Sequence, residues 1–113
     1  GGGRRRESHG TSHLRFRDRN ASELAPVARE IARVDPDLGR QLRRAAASIA
    51  LNTAEGEGYD DGNRRMRFRN AIGSAKETRA CLEVAAALEY VVLDPALVDR
   101  LDRIAATLFR LTS

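Results

Sequence analysis

The chain reads as all-α, an antiparallel up-down-up-down four-helix bundle with a flexible basic N-terminal arm, and three observations predict this. Apolar residues recur at three- and four-residue steps in successive segments. Two Asp-Pro dipeptides, Asp35-Pro36 and Asp94-Pro95, mark helix starts: an Asp accepts from unpaired amides at the N-cap and Pro occupies the first helical position without losing a donor. The apolar content, 42% of 113 residues, comes mainly from Ala, Leu, Ile and Val, with three Phe, two Tyr and no Trp. Such side chains make a thin core, which closely spaced helices with small contact residues bury most effectively.

The elements follow in order. Residues 1 to 20, rich in Gly, Ser, His and Arg with only Leu14 and Phe16 to bury, form a disordered or frayed basic arm, and residues 21 to 113 form the bundle domain. Leu24, Val27, Ala28 and Ile31 mark the apolar face of a first helix, continued by Val34, which starts near Pro26 or is kinked there. A second helix runs from about Pro36 to Glu55, with Leu42, Ala45, Ala46, Ile49 and Thr53 on one face and Arg43, Arg44, Asn52 and Glu55 beside it. It ends at Gly56, with Gly58 close behind, because glycine readily takes the left-handed conformation that terminates helices. Residues Glu57 to Asn63 reverse the chain. A third helix, about Asn63 to Glu89, carries Phe68, Ala71, Ile72, Ala75, Thr78, Leu82, Ala85 and Ala86 at helical steps. Leu97, Leu101, Ile104, Leu108 and Leu111 give a fourth helix an a/d-like stripe. Short connections make neighbours in sequence antiparallel neighbours in space.

Nineteen of the twenty basic residues are Arg, a guanidinium chemistry suited to phosphate. The excess charge is local. Residues 1 to 20 hold six Arg against Glu7 and Asp18, whereas residues 21 to 113 hold fourteen basic and fourteen acidic groups. Attraction to an anionic partner must therefore come from the arm or from patches on a neutral body. A lone cysteine, Cys81, cannot close an intramolecular disulfide, no apolar run approaches membrane-spanning length, and Gly1 to Arg6 lacks the apolar segment of a secretory signal. These features place the protein in the cytoplasm, with no membrane partner.

From Leu38 onward the chain carries QLRRA at 41 to 45, SIALN at 48 to 52, AEG at 54 to 56, RF at 67 and 68, GSAKE at 73 to 77 and LEVAAALEY at 82 to 90. With these words it resembles the four-helix bundle proteins named for open reading frames inside 23S ribosomal RNA intervening sequences, whose superfamily includes the accessory variability determinants of diversity-generating retroelements. The pattern more often has Ile where Thr53 stands, Pro near Ala50 and Gly where Glu89 precedes Tyr90. The resemblance implies a homo-oligomer, a pentamer with a central channel, and a partner that is RNA or a reverse-transcriptase-type protein.

Among the polar residues, Arg40, Arg43 and Arg44 on the second helix and Arg64, Arg65 and Arg67 on the third are the candidate nucleic-acid contacts, together with Arg4, Arg5 and Arg6 of the arm. Asn52, Glu55, Gly56 and Glu77 are structural candidates. Folding the second helix back on the third predicts ion pairs of Glu55 with Arg64 or Arg67 and of Arg44 with Glu77, which set the register. No catalytic, cofactor or metal site is expected. Bundle metal sites need converging carboxylates and histidines, and His9 and His13 both lie in the arm. Ser48 and Ser74 lack a histidine partner, and Cys81 reads as a buried thiol. The expected function is a non-enzymatic oligomeric accessory protein that binds RNA or a nucleoprotein through its arginines. The alternative is a protein-interaction scaffold with no nucleic-acid role.

Overall fold

The computed structural model describes residues 23–58 and 61–112, and among them all regular structure is α-helical. Helix α1 covers residues 23–34, α2 Pro36–Gly58, α3 Asp61–Ala87 and α4 Pro95–Thr112. The arm, including Arg4, Arg5 and Arg6, and the chain reversal at 59 and 60 lie outside the described residues.

Both Asp-Pro starts hold. Asp35 Oδ1 accepts from the Leu38 amide at 3.0 Å, and Asp94 Oδ1 accepts from the Ala96 amide at 3.0 Å. Only Asp35 separates α1 from α2. Helix α1 is already under way at Glu23, so its helical residues lie on both sides of Pro26 instead of starting there.

The expected end of α2 is corrected. The helix continues through Gly56 to Gly58, and no described glycine has a positive φ. Gly56 serves packing instead: a Cβ there would stand 2.5 Å from Cε1 of Phe68, so only a glycine lets the ring lie against the α2 backbone. Gly39 does the same for α1, because its Cβ would meet Ala32 Cβ at 2.7 Å and Ala32 Cα at 2.9 Å. The left-handed residue is Glu89, with φ 63°. It ends α3 in a Schellman arrangement, in which the Tyr90 amide donates to Ala85 O at 2.8 Å and the Glu89 amide to Ala86 O at 3.0 Å.

One core runs through all four helices. Leu24, Ala28 and Ile31 of α1, Leu42 and Ile49 of α2, Phe68, Ala71, Ala75, Leu82 and Ala85 of α3, and Leu97, Leu101, Ile104 and Leu108 of α4 are buried together. Thr53 and Thr78 are also buried, and each hydroxyl donates to the carbonyl one turn earlier, Ile49 O and Ser74 O, both at 2.7 Å. That internal bond is what makes a buried hydroxyl tolerable. At the core edges, Arg100 of α4 pairs with Glu23 of α1. Arg79 of α3 reaches Asp102 of α4 at 2.7 Å and Glu83 of its own helix at 3.2 Å. These carboxylates raise the Arg79 pKa further above its ordinary value, the hydrogen bond to Asp102 most of all.

Candidate nucleic-acid interface

The candidate arginines of α2 and α3 divide by environment. The seam between the two helices is polar along one side. Ser74 Oγ donates to Ser48 Oγ at 2.7 Å, and Asn52 Nδ2 donates to Ser48 Oγ and to Ser48 O, both at 3.0 Å. Asn52 is thus tied back to its own helix and Ser48 is saturated as an acceptor. Further along, Glu55 pairs with Arg67 at 3.0 Å, and Phe68 meets Gly56. The contact partners rise in number along α2, from 48 to 55 and 56, as they fall along α3, from 74 to 67 and 68.

Two contiguous surface grooves follow this seam and share Arg44 and Ser48. The larger, about 510 Å³, is bounded by Arg40, Gln41 and Arg44 with Asp37 and Glu77. The smaller, about 370 Å³, lies between Leu51, Asn52, Glu55 and Arg67. The second expected ion pair is corrected here. Arg44 and Glu77 line the same groove, but no ion pair forms between them. Both ends sit on exposed helical faces where water solvates each charge as well as the partner does.

Three of the six arginines are engaged. Arg40 pairs with Asp37 one turn earlier, Arg67 with Glu55, and the Arg64 guanidinium stands 5.0 Å from the centroid of the Phe68 ring. The last contact is a cation–π interaction that compensates a cation in the first turns of a helix, where the dipole opposes it. Arg43, Arg44 and Arg65 are exposed, and no described carboxylate pairs with them. The sequence reading missed Arg29 and Arg33 of α1, which are exposed and likewise unpaired among the described residues. Their four-residue spacing was the available signal. Gly39, which seats α1 on α2, was also missed, since only coordinates reveal the Ala32 contact.

The remaining reactive groups have structural surroundings. Cys81 is 4% exposed, and burial first, then the Glu77 charge, pushes its thiol pKa up, which leaves it a poor nucleophile. Among the described residues no three His, Cys, Asp or Glu side chains gather as a metal site needs, and no helix is long and apolar enough to cross a membrane.

Searches of curated proteins and of solved structures return no match. Residues 21–110 match the family model described as 23S rRNA-intervening sequence protein. That match spans α1 through nearly all of α4, and the chain belongs to the 23S rRNA-intervening sequence protein family.

Proposed function

We propose that this protein is a non-enzymatic accessory factor that binds RNA, or a nucleoprotein, through exposed arginines on an otherwise charge-balanced body. The observation that carries the reading is the set of exposed guanidiniums with no described carboxylate partner, Arg43 and Arg44 among them, in a chain whose residues 21 to 113 balance to zero. Unpaired guanidiniums can displace the cations condensed on RNA phosphates, whereas arginines already bound to carboxylates gain little from phosphates. The family description, which refers to an intervening sequence of 23S rRNA, supports the same partner class. A working link to a reverse transcriptase belongs to this proposal as well, and its test is whether a retroelement lies beside the gene.

We read the four helices as up-down-up-down, which fits the opposed order of the α2 and α3 contacts, and the protein as a cytoplasmic homo-oligomer, by resemblance a pentamer. Symmetric copies repeat a modest patch around one axis and so turn weak contacts into useful affinity. A scaffold role is the second reading. Leu51, Met66, Val84 and Leu88, between 46% and 63% exposed on α2, α3 and the residue after α3, favour it, because they offer apolar surface that a protein can cover.

The test is RNA binding across a salt series with the full chain. Affinity that falls steeply as salt rises supports the RNA reading. Absence of binding at low salt, or binding indifferent to salt, leaves the scaffold.

A further inference from the structure

The α1–α2 corner brings together arginines that lie far apart on any linear reading. Gly39 of α2 rests directly on Ala32 of α1. Around each helix axis, at about 100° per residue, the order is the same: the core stripe, then the contact residue, then a pair of arginines. On α1 the order is Leu24 and Ile31, Ala32, then Arg29 and Arg33. On α2 it is Leu42 and Ile49, Gly39, then Arg43 and Arg40. Both pairs therefore emerge on the outer side of one seam, away from the core.

The carboxylates nearby do not neutralise this face. Asp37 is taken by Arg40, Asp35 caps the Leu38 amide, and Glu30 makes no ion pair with Arg33. Arg29, Arg33 and Arg43 remain exposed and without a described acidic partner. By contrast, the α2–α3 seam carries Glu55 and Glu77, and the α3–α4 side carries Glu83, Asp99 and Asp102. On those surfaces Arg67, Arg79 and Arg103 are already held by carboxylates, whereas at the corner Arg29, Arg33 and Arg43 have no described acidic partner and outnumber Glu30, the exposed carboxylate beside them.

We infer that the outer face of the α1–α2 corner, carrying Arg29, Arg33 and Arg43, is the surface that contacts the phosphate backbone of a single-stranded RNA. This rests on the RNA-binding reading above and narrows it to one side of the molecule. Guanidiniums one turn apart on α1 and beside them on α2 form a short two-row track, to which a strand binds through its backbone and without base selection.

The experiment measures the affinity of a fluorescein-labelled, mixed-sequence single-stranded RNA for the full chain by anisotropy, at several salt concentrations. Four proteins are compared: the wild type, R29A/R33A/R43A, the charge-retaining R29K/R33K/R43K, and R65A/R69A/K76A on the exposed ridge of α3. All substitutions are at exposed positions, and helicity by circular dichroism checks that each protein folds. The corner triple to Ala is expected to weaken binding by at least about tenfold and to flatten the salt slope by about 2, from about 0.7 for each single-strand phosphate contact removed. The Lys triple keeps most of the slope, and the α3 triple changes affinity by less than about threefold. Wild-type affinity retained by the corner triple, or a larger loss from the α3 triple, overturns the inference and leaves RNA binding standing. A wild type that does not bind overturns both.

Discussion

Two seams of this bundle are built on the same device and put it to different ends. At the α1–α2 corner Gly39 lies on Ala32, and at the end of the α2–α3 seam where α2 stops and α3 starts Gly56 lies under Phe68. In each case the missing Cβ draws two helices closer than any side chain allows. Around Gly56 the neighbouring charges are matched, with Glu55 on Arg67 and Arg64 over the ring. Around Gly39 Arg40 is matched by Asp37, but Arg29, Arg33 and Arg43 are exposed with no described acidic partner. Close packing thus fixes where a charge emerges, and the local supply of carboxylates decides whether that charge stays available. A count of arginines along the chain separates neither case.

The comparison can be broken most severely at Phe68. Phe68→Ala removes the side chain that fills the space over Gly56, and a loss of about 3–5 kcal/mol in denaturant-unfolding stability is expected, with the corner arginines unchanged. Next comes the corner itself. In Gly39→Ala the new methyl meets the Ala32 backbone, which cannot swing aside, so a net loss of about 1–3 kcal/mol is expected despite the better helix propensity of Ala. Gly56→Ala meets only the edge of a ring that can shift, and it should cost less than Gly39→Ala in the same assay. The reverse order would mean that the corner is the looser seam.

A smaller effect of opposite sign sharpens the corner from its far side. Tyr90 brings its hydroxyl to 3.5 Å from Asp35 Oδ2, and the residue before it, Glu89, holds a left-handed φ that an L side chain resists. Glu89→Gly should raise stability by about 1 kcal/mol, read as a higher thermal midpoint. A lower midpoint would show that the Glu89 side chain contributes more than its backbone costs.

The smallest effect is a pH dependence on the α2–α3 side. The Cys81 pKa is raised in the fold, so the thiol stays protonated where the unfolded chain ionises, and its stabilising contribution is complete below the unfolded value. Between about pH 8 and 10 the wild type should therefore lose thermal stability more steeply than Cys81→Val, since the ordinary thiol value is about 8.5. Parallel slopes for the two proteins would count against burial of a titrating thiol.

Much of the architecture was legible in the chain. The stripe Leu97, Leu101, Ile104, Leu108 and the two Asp-Pro caps need no tertiary information, because local spacing and backbone chemistry specify them. Gly56 misled for a physical reason: a glycine that ends a helix and one that admits a ring look alike until the ring is placed. Glu89 hid the true left-handed position of α3 behind a residue that seldom takes it. The candidate site was harder. Glu55 with Arg67 followed from antiparallel register, but Arg44 with Glu77 did not, because a shared groove does not force two solvated side chains together. Arg29 and Arg33 showed only their four-residue spacing, and their place beside Arg43 emerged once Gly39 was seen against Ala32.

The most direct measurement is arginine footprinting: modification by phenylglyoxal with and without single-stranded RNA, read residue by residue by mass spectrometry. The account predicts that RNA protects Arg29, Arg33 and Arg43, while Arg65 and Arg69 react as before. Protection confined to Arg65 and Arg69, with the α1–α2 corner still reactive, would contradict it.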